Sequence, residues 1–495
     1  MPPLNPCAAK VAPAERRPFK PFVYNLAMPV ETAQPTFAQA STRAAGDEKL
    51  KAAVSNAVMR QYVARQARMK ELPDSDKLRT LAGDIKQHAL DHLDYYLDQL
   101  KASVERNGGH VHFVSTAEDA RELILKIAAD AGCKKVIKSK SMVSEEISLA
   151  HEMERRGLEV VETDLGEFIV QISHDKPSHI VAPIVHMSKE SVAQLFSEYF
   201  KTPYNADPEF LTRQARAWLR DKFRHADFGM TGANFLVAET GHVCAVENEG
   251  NARQSITTPR VLVTLAGIEK VVPRLADLSV MLKLLVRSAT GQHLTIYTNL
   301  FGGPRKKSEK DGPEEFHLVL LDGGRSEILA GPYRETLRCI RCGACLNACP
   351  VYRKIGGHAY GHVYSGPIGA LITPLMNGLE QYKDLPQASS LCGACYDACP
   401  VKINIPKHLV NLRRDIVQQR LNGRIERCVY RLWAWGLKSP LLYGLIGTLQ
   451  KFDLRRRAKN TGWIKRLPRI AAGWTNVRDM PAPAKKTFHQ LWKDR

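Results

Sequence analysis

The sequence predicts an α/β domain with a parallel sheet, then a mostly α-helical domain built on a repeated cysteine motif, and then a basic C-terminal region. Three observations predict this order. Downstream of Asn107, short apolar runs alternate with segments of helical period, the pattern of a parallel sheet with crossover helices. Later the chain reads C-I-R-C-G-A-C-L-N-A-C-P from Cys339 and S-S-L-C-G-A-C-Y-D-A-C-P from Ser389, two copies of one pattern. From Arg420 to Arg495 there are 18 Lys or Arg against 4 Asp or Glu, a large share of the formal charge of +20.

At 495 residues the chain exceeds one ordinary domain and is long enough to bury two or three cores. Of its 11 cysteines, seven lie in the two motifs. Clusters of that kind in a long chain point to metal rather than to a disulfide scaffold. The N-terminus shows no apolar secretory core, and no run approaches the roughly 20 apolar residues of a spanning helix. A reducing cytoplasm is the expected compartment.

Residues 1–46 are rich in Pro and Ala without periodicity, and are expected to form a disordered extension. Residues 47–104 are expected to be helical, since L-R-T-L-A-G-D-I-K-Q-H-A-L-D-H-L-D-Y-Y-L repeats apolar residues at threes and fours. The α/β domain is assigned to 105–322. There V-H-F-V reads as a strand, and the next helix opens on Thr116 and stops at Gly132. K-K-V-I is a strand, M-V-S-E-E-I-S-L-A-H-E-M-E-R-R-G one helix, and L-E-V-V a strand. Two alternating runs joined at T-G in A-N-F-L-V-A-E-T-G-H-V-C-A-V-E-N-E-G predict a hairpin. A helix over 272–289 and a strand at L-T-I-Y-T-N follow. Beyond the charged loop P-R-K-K-S-E-K-D-G the domain closes near Asp322. The cysteine domain takes 330–420, and a basic, aromatic region takes 421–495.

The spacing C-x2-C-x2-C-x3-C-P is the ligand run of two-cluster ferredoxins, in which the fourth cysteine serves the other cluster. Three thiolates on a tight turn can cap three irons, and the proline then redirects the chain. Crossed ligation gives Cys339, Cys342, Cys345 and Cys399 to the first cluster, and Cys349, Cys392 and Cys395 to the second. Ser389 stands where the second copy lacks a cysteine. It is a candidate fourth ligand, or a bystander hydrogen-bonded to a cluster sulfur; Cys428 and Cys7 are remote alternatives. The second centre is therefore either a 3Fe–4S cluster or a 4Fe–4S cluster with a non-cysteine ligand. A pair of zinc knuckles is the competing reading, but zinc sites do not follow this spacing.

Iron–sulfur clusters pass single electrons, whereas oxidising a hydroxy acid removes two and usually calls on flavin or nicotinamide. No dinucleotide fingerprint follows a strand, and no flavin or NAD site is found. The Gly-rich G-H-A-Y-G-H-V-Y-S-G is read as a loop packed close to a cluster. In it His358 and His362 are ligands, proton donors or simply packing. Lys138, Lys140 and Ser144, after a strand and before a helix, form a candidate carboxylate or phosphate site, with an ordinary turn as the alternative.

F-G-M-T-G-A-N-F-L-V-A-E-T-G, V-E-N-E-G-N-A-R, C-P-V-Y-R-K-I-G-G-H-A-Y-G, S-G-P-I-G-A, S-S-L-C-G-A-C and C-P-V-K-I together resemble the LutB/LldF-type iron–sulfur subunits of L-lactate utilisation. The resemblance spans about residues 47 to 495. It implies an α/β LUD domain of NagB/RpiA/CoA-transferase-like fold, then a mostly α-helical two-cluster ferredoxin-like domain and a family-specific C-terminal region. It also implies an electron-transfer role beside two partner subunits that together oxidise L-lactate to pyruvate. By the same resemblance, the absent first cysteine of the second motif is a family habit.

Glu247 in V-E-N-E-G-N is similar to the glutamate with which CoA-transferase relatives attack a thioester. Alternatively Glu239, Glu247, Asn248 and Arg253 cap and bridge a sheet edge. Trp433, Trp435, Trp463 and Trp474 among basic residues suggest docking at a membrane surface, peripheral on its inner face, or packing on the chain's own core. Nucleic acid is the less compatible partner for a tail beside redox clusters. A second functional class is a redox-sensing binding module with a small-acid or CoA-ester pocket in the α/β domain.

Overall fold

A computed structural model describes residues 35–458, 461–468, 472–475 and 478–494. The chain divides into two compact units, 1–414 and 415–495. In the first, six parallel strands form one sheet in the order β1-β10-β7-β4-β2-β3. These are β1 (His110–Val114), β2 (Lys135–Lys138), β3 (Glu159–Glu162), β4 (Phe228–Thr231), β7 (Val261–Gly267) and β10 (Glu315–Leu321). Every residue of β7 is buried, as befits a central parallel strand covered on both faces. The register from Glu315 opposite Val261 to Leu321 opposite Gly267 sets Val263, Leu265, Val319 and Leu321 in one core layer.

The predicted helix after β1 spans Ala117–Asp130. Thr116 and Asp119 close a capping box at its start, and Gly132 at φ +63° ends it. The next helix differs from the expectation. It breaks into Met142–Glu146 and Leu149–Arg155 because Ser148 adopts a left-handed φ of +50°. The break redirects the second piece so that Leu149 and Met153 enter the same core as Val143 and Ile147.

The hairpin is present as β5 (Phe235–Val237) and β6 (His242–Glu247), turning at Gly241 with φ +73°. A Cβ there would lie 2.7 Å from the backbone of Ser103 and Val104, so only glycine fits this approach. The hairpin is the centre of a second sheet not anticipated from sequence, of order β8-β5-β6-β9. Its edges are β8 (Val271–Val272) and β9 (Tyr297–Phe301); the latter lies later than the expected L-T-I-Y-T-N.

Helices Glu48–Lys70, Ser75–Asp91 and Leu93–Arg106 match the helical expectation. The first two bind the cysteine domain. Arg65 Nη2 donates to the carbonyl of Ala398 at 2.8 Å, and Arg79 Nε to that of Cys399 at 3.0 Å. The extension assigned to 1–46 needs correction at its end. Residues Phe37–Gly46 are a helix with a Thr36–Gln39 capping box, and the Phe37 ring packs 5.7 Å from Tyr360. Its F-A-Q-A-S-T-R-A-A-G has a single large apolar residue, too little to show a period. Residues 1–34, Cys7 among them, lie outside the described residues.

In the second unit, helices Arg424–Lys438 and Pro440–Ala458 pack closely, a Cβ on Gly436 falling 3.2 Å from Ile446 Cδ1. Strands β11 (Trp463–Ile464) and β12 (Met480–Pro481) pair antiparallel. Trp433, Trp435, Trp463 and Trp474 are all exposed. No helix among the described residues is long and apolar enough to cross a membrane.

Candidate metal centre and its neighbouring cavity

The two cysteine motifs fold alike. Arg341 (φ +58°) and Gly343 (φ +75°) turn the first loop, and Leu391 (φ +55°) and Gly393 (φ +86°) turn the second at the matching positions. Each loop runs into a five-residue helix, Ala344–Ala348 or Ala394–Ala398, and each ends on a cysteine in extended backbone, Cys349 or Cys399. Backbone N–H groups aim at the sulfurs: Arg341 N at Cys339 Sγ (3.4 Å), Tyr352 N at Cys349 Sγ (3.5 Å) and Ile403 N at Cys399 Sγ (3.4 Å).

Cys339, Cys342, Cys345 and Cys399 line one small cavity, closed by Ile340, Ile368, Val401, Ile403 and Ile405. Thus the last cysteine of the second motif faces the first three of the first motif. None of the four is in a disulfide. Burial pushes Cys342 up to about 12 and Cys399 to about 11, and raises Cys345 well above the ordinary thiol value. Thiols so placed are poor nucleophiles, and only a bound cation would hold them as thiolates. Four soft sulfur donors round an apolar cavity fit an iron–sulfur cluster.

The second set lies close by. The Cys349, Cys392 and Cys395 sulfurs sit near enough to perturb one another, and burial raises Cys395 to about 12. Cys392 is exposed. Ser389 stays on its own loop, its Oγ accepting the Leu391 N–H at 3.1 Å. Cys428 is exposed in the second unit.

A second cavity, of about 360 Å³, opens at the carboxyl ends of the parallel strands. Its walls include Ser139–Val143 after β2, Asp164 after β3, Gly232–Asn234 after β4 and Lys270 after β7. This is where open parallel sheets place ligands. Its far wall is Arg341 and Cys342, so Cys342 borders both cavities.

The structure corrects the reading of Lys138 and Ser144 as an anion site. Lys138 is buried between Glu145 (2.9 Å) and Glu162 (2.5 Å). Burial alone would lower its pKa, but Glu145 and Glu162 raise it above the ordinary lysine value. Ser144 spends its hydroxyl on the Ser141 carbonyl at 2.8 Å. Of the three, only Lys140 lines the cavity, and it is held by the Val181 carbonyl (3.1 Å) and Glu167 (3.2 Å).

Glu247 is a cap. Its two oxygens accept the N–H groups of Ala252 and Arg253, each at 2.7 Å, and Asn299 Nδ2 at 2.9 Å. Glu239 likewise accepts Leu275 N at 2.9 Å, Asn248 accepts Ile296 N, and Arg253 lies over the Tyr297 ring. The sheet-edge alternative therefore describes this group, and nothing prepares Glu247 as a nucleophile.

His362 packs beside Tyr364 and Tyr382. His358 meets the Lys176 carbonyl at 2.6 Å and groups with Asp175 and His186, a grouping no spacing in the sequence announces. The Gly-rich loop meets three neighbours: Gly357 N donates to Ser178 Oγ of the α/β domain at 3.3 Å, Tyr360 packs against Phe37, and Tyr360 shares a buried core with Cys349.

Sequence reasoning also missed a buried charge network at the junction. Arg325 donates to Glu269 and, through both terminal nitrogens, to Glu146, while Arg341 reaches Glu269 at 3.4 Å and covers the Tyr364 ring at 4.7 Å. An isolated Arg after β10 gives no signal of distant carboxylates.

A parallel α/β domain joined to a doubled cysteine loop defines a modular iron–sulfur protein. Family models agree along the chain: a LUD domain over residues 97–321, a 4Fe-4S dicluster domain over 335–403, and the Lactate utilisation protein B C-terminal domain over 414–495. The Lactate utilization protein B of Shouchella clausii is 45% identical over 469 residues, covering 94% of this chain and 98% of that protein. Those of Bacillus licheniformis and Bacillus velezensis are 45% and 44% identical over 91% and 95% of this chain, covering 94% and 98% of those proteins. The chain belongs to the Lactate utilization protein B family. A solved structure of a DUF162 family protein from Deinococcus radiodurans covers 46% of this chain and 98% of that one, at 14% identity and a TM-score of 0.27, too slight a likeness to carry the fold.

Proposed function

We propose that this chain is the electron-transferring iron–sulfur subunit of a system that oxidises L-lactate to pyruvate. In this reading Cys339, Cys342, Cys345 and Cys399 hold one 4Fe–4S cluster, and Cys349, Cys392 and Cys395 hold a second centre with Ser389 as a bystander. The observation that carries it is the cavity shared by Cys399 with three cysteines of the other motif. When bound, such clusters supply one-electron transfer. The chain's own residues supply sulfur donors, N–H groups directed at three of them, and an apolar wall that excludes water.

The names of the relatives supply lactate as the system's substrate. Two partner subunits complete the reaction. The LUD domain takes a NagB/RpiA/CoA-transferase-like fold in this reading. The second unit's exposed tryptophans, set in a basic sequence, fit peripheral docking on the inner face of the cytoplasmic membrane.

The test is anaerobic reconstitution followed by iron and sulfide analysis and EPR. The reading expects about seven or eight irons per chain, with L-lactate reducing them only when the partner subunits are added. Zinc in place of iron, or reduction by L-lactate with this chain alone, overturns it.

A further inference from the structure

The cavity beside the first cysteine loop holds more cationic hydrogen-bonding capacity than the protein uses. Lys270 is 7% exposed, lines the cavity, and has no hydrogen-bond or ion-pair partner among the described residues. Its neighbours explain why. The Glu269 carboxylate is taken by Arg325 and Arg341, and the nearby carbonyls of Glu269 and Val271 are taken by Lys86.

Arg341, 8% exposed, lies between this cavity and the cysteine cavity and leaves Nη1 unsatisfied. Gln61 also lines the cavity, and its Oε1 is a buried acceptor without a donor. Acidic side chains line it too, but each has work at a helix terminus. Asp164 accepts Glu167 N (3.2 Å), Glu249 accepts Leu165 N (3.0 Å), and Glu247 is the cap described above. Buried polar groups are normally satisfied, so a free ammonium, a free guanidinium N–H and a free amide oxygen on three residues that line one cavity call for a polar ligand there.

We propose that this cavity binds a short hydroxycarboxylate, its carboxylate held by Lys270 and Arg341 and its hydroxyl donated to Gln61 Oε1. Two cation donors suit a carboxylate, and an unpaired acceptor suits a hydroxyl. The site sits against Cys342, so a bound acid lies beside the first cysteine cradle. The identification of the acid with L-lactate rests on the proposed function; the site itself rests on the cavity.

The experiment uses the full chain, reconstituted anaerobically and without partner subunits, in calorimetric titrations with L-lactate, propionate and inorganic phosphate. L-lactate is expected to bind, propionate more weakly for want of the hydroxyl, and phosphate least. Lys270→Met should weaken L-lactate at least about tenfold, Lys270→Arg should retain binding, and Gln61→Leu should bring lactate down to the affinity of propionate. Lys126→Met, on an exposed helix face, should change nothing. L-lactate should also shift the EPR signal of the dithionite-reduced protein, and not that of Lys270→Met.

Absence of L-lactate binding up to about 10 mM, phosphate binding tighter than lactate, or undiminished binding by both Lys270→Met and Gln61→Leu overturns the proposal. If Lys270→Met loses iron, the Gln61→Leu and Lys270→Arg titrations decide. Clusters that assemble and accept electrons in a protein that binds no acid would sink this inference and leave the proposed function standing. Acid binding by a protein that takes up no iron would do the reverse.

Discussion

Arg325 Nε donates to Glu269 Oε2 at 2.6 Å, and both side chains are sealed from water. The pair stands where the chain leaves the α/β domain, and Glu269 also reaches Arg341 of the first cysteine loop. A buried pair adds little net stability when complete, but removing one member strands the other. Arg325→Met leaves Glu146 and Glu269 buried without their main counter-charge and should cost about 3–5 kcal/mol. The double variant Arg325→Met/Glu269→Gln should recover part of the loss. Thermal unfolding of the four proteins forms the cycle that checks this.

His179 should make the protein acid-sensitive at mild pH. Its Nδ1 accepts the N–H groups of Val181 and Ala182, and its Nε2 meets Asn347 Oδ1 at 3.1 Å, so the neutral ring is the one that fits. Burial first, then the Lys140 charge, lower it to about 3 from the ordinary 6.5, against the Asn347 bond. The unfolded chain therefore binds the proton first. Stability from this group is complete above pH 6.5 and is lost as pH falls toward 3. By pH 5.5 the loss is about 1 kcal/mol. Chemical unfolding at pH 7.5 and 5.5 measures it, and His179→Gln should flatten that difference.

The proposed crossed ligation separates two substitutions in the second motif. Cys399 belongs to the second motif by sequence but lines the first motif's cavity, so Cys399→Ala should disturb the first centre's EPR signal and lower its iron. Ser389→Ala should leave iron content and both signals unchanged, because the hydroxyl serves Leu391 N–H. Its cost is one exposed-loop hydrogen bond, at most about 1 kcal/mol. A Ser389→Ala protein with less iron would make the serine a ligand.

These predictions draw on features of unequal legibility. The cysteine loops were readable because spacing is local: three cysteines within seven residues need one turn, and the copy repeats it. The alternation from β1 to β3 was readable for the same reason. What escaped was set by long-range contact. Nothing near Ser148 announces the left-handed break, which serves the packing of Leu149 and Met153. The edge β8, two residues long, is too short to show a period of two, and β9 begins three residues later than the expected strand. Lys270 and Gln61 lie over two hundred residues apart, and only the fold brings them to one cavity. Glu247 was singled out by likeness, and its oxygens proved to be caps.

Gly357 offers a last test, of how tightly the Gly-rich loop is set on the α/β domain. Its backbone φ is the ordinary −86°, so alanine brings no conformational penalty. A Cβ there would nonetheless overlap the Ser178 carbonyl oxygen, which also accepts the Tyr352 hydroxyl at 2.5 Å. Gly357→Ala must push the two segments apart, and should cost about 3 kcal/mol, the upper end for overpacking. Gly361 is the comparison. It has φ +69° and open space around its Cβ position, so Gly361→Ala meets only left-handed strain of about 1–2 kcal/mol. Equal melting temperatures for the two variants would mean that the loop yields and the close contact is not a constraint.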